Sequence, residues 1–500
     1  MQGTSYLINI VDRVLHHWGV KASRQDVRRV LCSNPWYPSI KSLHDTLAYY
    51  GLESNVYQAD FEHLTDQPHS VIHTLTDGGH FYYLQDINED KVRLFDDTSK
   101  ILSKQEFLSL WDGVVMLIEG DKKVAVASAG SALKLPLVAL FVAALLLSQV
   151  LLLWGQPYAV LHLLLDAAGI AMCCVLYGHL LFSYVSVHFC HISQRFDCSA
   201  VSAANPLQRF LPFPLPVAGL AFFLFDWLLL LLRCHNNYFA LAACVGAAVF
   251  MLTLFAYQLF VVHKYCLYCM GVSAVVFAKP FSFSITHVDN LLSTPLTVLS
   301  AALITLALAV LIHVCGNNLK FSSDCHIKLL TFKRIPGLFN MLLGRQPLKP
   351  VSGSHALLFG NESAKITLDT VVSLNCRHCR LLVKQACTLI EHWPDMFCWR
   401  VYIDGVSVAD ADDTMNARQL HLVTQYIDDR QQAFRALKQW RFAQSGYMVS
   451  ASARQRYAGI LADIRQMGIE HYPTLLFNSR LMPDEYTLAD IDVLINDWQS

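Results

Sequence analysis

The stretch Ile366–Glu391, ITLDTVVSLNCRHCRLLVKQACTLIE, decides how the C-terminal part of this chain folds. Ile366 to Val372 alternates like a buried strand, Ser373-Leu374-Asn375 turns, and Cys376-Arg377-His378-Cys379 opens a helical run from Arg380 to Glu391. A cysteine at a helix N-terminus meets free backbone N–H groups and the positive end of the dipole. Both stabilise its thiolate and make it a nucleophile near neutral pH. His378 can add positive charge beside it. Zinc is the rival use of such a pair, but a second ligand pair at useful spacing is missing, and no metal is expected.

Two more cysteine pairs lie upstream. Cys190 and Cys198 flank a seven-residue gap, and Cys266-Leu267-Tyr268-Cys269 has the same two-residue gap as the first pair. Taken alone, the loop pair reads equally well as a structural disulfide, and Cys266 and Cys269 as helix-packing residues, the role expected of Cys173, Cys174, Cys234, Cys244 and Cys315. A thiolate attacks a disulfide only where the sulfurs can meet, so the pairs act as a set only if the fold gathers them.

Hydropathy bears on that. With 54% hydrophobic and 15% charged residues and a mean hydropathy of +0.36, the chain is too apolar for a soluble protein of its size. The excess is concentrated between about residue 135 and residue 316. Six segments come close to the roughly 20 apolar residues that cross a bilayer: Leu135–Trp154, Tyr158–Val187, Phe213–Leu232, Tyr238–Val262, Cys266–Ile285 and Pro295–Cys315. Counting crossings, the Cys190/Cys198 loop, the start of the fifth span at Cys266 and the domain carrying Cys376 share one membrane face with the N-terminal domain. Lys122, Lys123 and Lys134 pull the other way for the N-terminal domain, since basic residues favour the cytoplasm, and a re-entrant Leu135–Trp154 would satisfy them. Six spans are preferred because that segment is long and uncharged and Gly155-Gln156-Pro157 turns after it. Met1 to Gly19 lacks the pattern of a secretory signal. The near-zero net charge of -1 excludes a nucleic-acid binder built on a dense basic stripe. Asp166 and Asp226 fall inside spans, where ionised carboxylates are costly and a functional role is the default; proton uptake by a reduced quinone would use them, and a neutral or water-exposed carboxyl is the equal alternative. His162, His179 and Gln258 read as helix-packing hydrogen-bonders.

The strand–CxxC–helix segment resembles the thioredoxin fold from about Ala356 to Ser500. Its second marker is Ile469-Glu470-His471-Tyr472-Pro473-Thr474-Leu475-Leu476-Phe477, similar to that family's cis-proline turn, which implies that Pro473 holds substrate backbone against the cysteines. The helical residues between Asp404 and Gly468 resemble the insertion of bacterial thiol oxidases of the same fold. The membrane part, residues 158–316, resembles the vitamin K epoxide reductase family in its bacterial form fused to a thioredoxin-like domain. That resemblance is carried by Cys190 and Cys198, then Val201, Phe210 and Gly219, then Cys266-Leu267-Tyr268-Cys269 at the head of a helix. It departs from the family at Ala204, where a serine is usual, and at Ser273, where animal members have a tyrosine. Residues Val11–Val20, Ser39–Gly51, His80–Leu84 and Val92–Asp96 resemble the papain-like peptidase domain of bacteriocin exporters. His80 and Asp96 match the family's histidine and acid. Tyr6 stands where the nucleophilic cysteine belongs, and Cys32 falls beyond the first helix, so a degenerate peptidase site is expected.

These resemblances imply a multidomain integral membrane protein: an α+β papain-like, inactive peptidase domain at 1–125, an α-helical transmembrane bundle at 134–316, a linker at 317–350 and an α/β thioredoxin-like domain at 351–500. The implied activity is a quinone-linked thiol oxidoreductase that forms disulfides in exported proteins with reduced cysteines. Electrons would pass from Cys376/Cys379 to Cys190/Cys198, then to Cys266/Cys269, and from Cys269 to menaquinone or ubiquinone of the membrane pool. A multi-pass protein of the bacterial cytoplasmic membrane follows, with redox domains facing the periplasm or exterior. The alternative is a peptide-binding maturation adaptor for a bacteriocin-like cargo, with structural cysteines.

Overall fold

Helix α1, Tyr6–His17, buries Leu7, Ile10, Val11, Val14 and Leu15, the i, i+3, i+4 spacing of one helical face. It stops where Gly19 turns left-handed at φ +73°. This computed structural model describes residues 6–65, 67–75, 79–96, 99–119, 147–151, 153, 156–182, 213–232, 238–263, 265–283, 295–405, 416–443 and 448–499. The chain forms two compact units, divided near residue 328 except that Ser33–Pro35 group with the second.

In the first unit, α1 is followed by α2 (Arg24–Cys32) and α3 (Ile40–Tyr49), the latter capped by the Ser39 side chain. Next come β1 (Glu53–Gln58), α4 (Phe61–Thr65), β2 (Val71–Thr74), β3 (His80–Ile87), β4 (Lys91–Phe95), β5 (Ser99–Ser103), α5 (Lys104–Leu110) and β6 (Trp111–Glu119). The strands make one antiparallel sheet in the order β1-β6-β2-β3-β4-β5. Ile72, Leu84, Leu94, Phe107 and Val115 belong to its core.

Five apolar helices follow: α6 (Pro157–Leu181), α7 (Leu215–Leu231), α8 (Tyr238–Tyr257, continued by a π turn to Val262), α9 (Leu267–Ala278, continued by a 3₁₀ turn to Ser282) and α10 (Pro295–Lys333). Among the described residues, three helical stretches, Pro157–Leu181, Tyr238–Val262 and Leu296–Lys333, are long and apolar enough to cross a membrane; Leu215–Leu231 and Leu267–Ser282 are shorter. The bundle turns Leu164, Val249, Leu252, Leu303 and Leu311 outward while burying His162, Asp166 and Asp226, the inverse of a soluble protein. At Gly169 on α6 a Cβ would lie 2.3 Å from the Phe223 ring of α7, so only glycine allows this approach. Of the expected first span, only 147–151 and 153 fall within the described residues. The last helix departs from expectation. It runs 39 residues, well past Cys315 and through the segment expected to be linker. The residues after Cys315 are polar, yet no proline interrupts them before Pro336, so the helix continues.

In the second unit, α11 (Leu338–Arg345) precedes β7 (Leu357–Gly360), β8 (Ile366–Ser373), α12 (Arg377–His392), β9 (Phe397–Asp404), α13 (Ala417–Asp428), α14 (Arg430–Gln439), α15 (Ala451–Met467), β10 (Thr474–Phe477), β11 (Arg480–Leu481) and α16 (Leu488–Gln499). The sheet order is β11-β10-β8-β9-β7. β8 and β9 are parallel, with α12 as their crossover, and the other pairings are antiparallel. This is a thioredoxin-like sheet, with α13, α14 and α15 inserted between β9 and β10.

Candidate redox site

Cys376 is the N-cap of α12. Its Sγ accepts the Cys379 backbone N–H at 3.4 Å, and its backbone is extended, at φ -94° and ψ 125°. That bond, then the Cys379 side chain and the His378 N–H, holds the half-buried thiol's pKa below its ordinary value. Cys379 is fully buried, and burial pushes its thiol up to about 12, although Ser373 N–H donates to its Sγ at 3.4 Å. One sulfur is therefore ready to attack, and the other is held protonated until the first is engaged. The Tyr472–Pro473 bond is cis and leads into β10, which pairs with the strand that ends at the cysteine turn. Beside it, burial and Asp404, which accepts from the phenol, push the Tyr472 hydroxyl up to about 12.

Sequence reasoning missed the ion pair behind these cysteines. Asp369 on β8 faces Arg400 on β9, with Nε to Oδ1 at 2.5 Å and Nη2 to Oδ2 at 2.9 Å. Asp369 is wholly buried, and burial raises its carboxyl pKa while Arg400 opposes the rise. An aspartate inside an otherwise apolar strand was the signal available.

The membrane pair repeats the cap. Cys266 is the N-cap of α9, its Sγ accepts from Cys269 N–H at 3.3 Å, and its own N–H donates to Gln258 Oε1 at 3.3 Å. Cys266 is buried, and Leu176, Val262, Tyr268 and the half-buried Cys269 pack against it. Ser273 Oγ, one turn on, donates to the Cys269 carbonyl at 2.9 Å. Cys190, Cys198 and Ala204 lie outside the described residues.

Deeper in the bundle, Asp166 and Asp226 are fully buried, and both contact the ammonium of Lys279. The water-exposed alternative for these aspartates is thereby corrected: α6, α7 and the turn after α9 enclose them. Lys279 was overlooked, although an ionisable residue within an apolar span was the signal that could have found it.

In the N-terminal sheet domain Tyr6, His80 and Asp96 converge. The Tyr6 ring stacks on the His80 ring with centroids 4.0 Å apart and planes 11° apart, and its hydroxyl accepts from Phe81 N–H at 3.4 Å. His80 Nε2 lies 3.4 Å from Asp96 Oδ2, which also accepts from Lys100 Nζ at 2.9 Å. A phenol ring fills the space over the imidazole where a thiol would have to be. Cys32 ends α2, and burial raises its pKa against the lowering effects of Tyr37 and Arg28.

Residues 2–123 match the Peptidase C39 family and residues 160–285 the Vitamin K epoxide reductase family. No curated protein matches the chain. Similar solved structures include the peptidase domain of Streptococcus ComA, a bifunctional ABC transporter involved in a quorum-sensing pathway (18% identity, 22% of this chain and 88% of that one, TM-score 0.21). Others are oxidised BdbD from Bacillus subtilis (8% identity, 31% of this chain and 99% of that one, TM-score 0.24) and the catalytic domain of Proteus mirabilis ScsC (12% identity, 29% and 89%, TM-score 0.22). The family match and the two capped CxxC helices support a thiol–disulfide oxidoreductase in a membrane protein. One chain thus joins a segment that matches the Peptidase C39 family model to a segment that matches the Vitamin K epoxide reductase family model, followed by a thioredoxin-like domain.

Proposed function

We propose that the protein oxidises dithiols in exported proteins and passes the electrons to a membrane quinone. The observation that carries this reading is the shared geometry of Cys376 and Cys266: each caps a helix and accepts the N–H of the second cysteine of its pair. One pair belongs to a soluble sheet domain and the other to an apolar bundle, as a relay between aqueous thiols and a lipid-soluble acceptor requires. A substrate thiolate attacks the Cys376–Cys379 disulfide at Cys376 and expels the Cys379 thiolate, the second substrate thiol closes the substrate disulfide and releases reduced Cys376, and Pro473 faces the substrate backbone. Cys376 thiolate then attacks the Cys190–Cys198 disulfide, and Cys379 resolves that mixed disulfide. Cys190 and Cys198 carry the two electrons to Cys266 and Cys269, each step being thiol–disulfide exchange whose direction follows reduction potential.

Leu176, Val262 and Tyr268, packed against Cys266 together with the half-buried Cys269, supply apolar surface that fits a quinone ring. When bound, the quinone is a two-electron, two-proton acceptor. Cys269 is the cysteine we assign to face it.

The thiol domains belong on the oxidising face of a bacterial cytoplasmic membrane. Within the first unit, Arg28 of α2 bonds Ser323 and Asp324 at 2.8 and 2.5 Å, on the part of α10 beyond its apolar half, which supports placing the N-terminal domain on that same face. That domain is an inactive peptidase fold retained for binding a peptide.

Two variants test the relay. Cys269→Ala should abolish quinone reduction while Cys376 remains reactive; quinone consumption at the wild-type rate would overturn the assignment. Cys379→Ser should accumulate a mixed disulfide between Cys376 and Cys190 or Cys198, detectable by mass spectrometry. A loop pair that stays oxidised in strong reductant and never links to Cys376 is a staple.

A further inference from the structure

We infer that His162, Asp166, Asp226 and Lys279 form a binding site for one exchangeable proton inside the helix bundle, through which quinol formation draws protons from the membrane face opposite the thiols. The second half of this inference rests on the proposed quinone-linked activity; the first half does not.

All four side chains are fully inaccessible to solvent. They come from three elements, α6, α7 and the turn after α9, and a fourth, α8, adds Cys244, whose Sγ donates to Asp226 Oδ2 at 3.3 Å. Lys279 Nζ contacts Asp166 Oδ1 and, at 2.5 Å, Asp226 Oδ2, with the rings of Phe222 and Phe223 5.5 and 5.7 Å away. Its ammonium already fills the space between the carboxylates that another cation would take. Two carboxylates against one ammonium leave a net negative charge, which a low-dielectric interior penalises by several kcal/mol.

The hydrogen bonds say where the compensating proton goes. Ser282 Oγ donates to the Lys279 carbonyl at 2.7 Å, so it can only accept from His162 Nδ1, 2.7 Å away. Nδ1 therefore carries the hydrogen. In a neutral ring, Nε2 would then turn a lone pair toward Asp166 Oδ2 at 3.6 Å and Asp226 Oδ2 at 4.0 Å, acceptor facing acceptor. One added proton, on Nε2 or on a carboxylate, converts repulsion into a hydrogen bond and brings the cluster to neutrality.

Position gives the site its use. Lys279 follows Cys266 by thirteen residues along α9 and its terminal turn, about 20 Å of helix at 1.5 Å per residue. The cluster is therefore remote from the thiols and nearer the other end of the bundle. In the overall exchange a dithiol and a quinone become a disulfide and a quinol: two electrons pass through the cysteines, the two thiol protons leave on the thiol face, and the quinol's two protons arrive one at a time through the cluster.

The test uses the full chain. Infrared difference spectra of purified protein during a pH titration should contain a protonated-carboxyl C=O band that is lost or shifted in Asp166→Asn and in Asp226→Asn. Either asparagine variant is neutral without the added proton, so both should fold. A second measurement sets the pH of the two faces of proteoliposomes separately during dithiol oxidation by excess quinone. Raising the pH opposite the thiols past the site's midpoint should slow the wild type about tenfold per unit, as one titrating proton requires, and should leave the rate of Asp226→Asn unchanged. Absence of a titrating band, or retention of zinc by the cluster, overturns the proton site. A band with turnover indifferent to the far-side pH overturns the coupling alone, and no quinone reduction at all sinks the proposed activity while the infrared result still judges the site.

Discussion

At the scale of single residues, Cys376 and Cys379 sit three positions apart and differ in almost everything that governs reactivity. Cap hydrogen bonds lower the pKa of one thiol, and burial pushes the other up to about 12. Iodoacetamide should therefore alkylate reduced Cys376 with a rate midpoint below that of an ordinary cysteine and leave Cys379 essentially untouched at neutral pH; comparable rates at both positions would remove the basis for assigning the nucleophile. The sign follows for stability too. A thiol whose folded pKa is depressed contributes stability above its unfolded pKa and loses it as pH falls through the folded value, so the reduced form gains on the oxidised one as pH rises. Tyr6 makes the opposite kind of residue argument. Stacked on His80, it presents a bulky phenol where acyl transfer needs a thiolate. Neither the wild type nor His80→Ala in the full chain should hydrolyse leader peptides, and the variant should oxidise dithiols at the wild-type rate; selective loss of oxidation in a folded variant would bring this domain into the redox cycle.

At the scale of elements, the motif read from residues 366–391 corresponds to β8, its turn and α12 within a residue or two, because a β-branched apolar run, a turn and a capped helix start follow one another. The alternation expected along β8 is replaced by continuous burial from Leu368 to Val372, as in a strand covered on both faces. The neighbouring strand was less legible. Nothing in the sequence of β9 ties Arg400 to Asp369, since their pairing depends on the parallel register of two strands separated by a helix. Arg400→Met should destabilise the protein by about 3 kcal/mol in urea titrations, because it strands a buried carboxylate. Burial raises the Asp369 pKa, so that loss should be larger at mildly alkaline pH, where the group must ionise, than in acid; equal losses at both would mean the pair is electrostatically idle. Helix α10 shows the complementary error. A span was expected to end with its apolar residues, but hydropathy marks where lipid ends, and a helix ends only where a backbone hydrogen bond fails, here ahead of Pro336.

For the whole molecule, the Arg28 contact with α10 supports the proposed placement of the N-terminal domain on the face of the thiols. A membrane-impermeant maleimide applied to intact cells should label Glu53→Cys at the exposed start of β1 as readily as Met448→Cys, whose side chain is 92% exposed. Labelling of the second alone would place the peptidase-like domain in the cytoplasm. The sequence by itself determined the apolar helices and the two CxxC helix starts, because each of these is written in local spacing and periodicity, while the order of modules was legible through resemblance to known families. Only the tertiary structure decided the partnerships: Tyr6 over His80, Asp369 with Arg400, Tyr472 with Asp404, and the closure of Lys279 onto Asp166 and Asp226. Such contacts join residues far apart in the chain, and the burial that gives them their chemistry does not exist until helices and strands have packed.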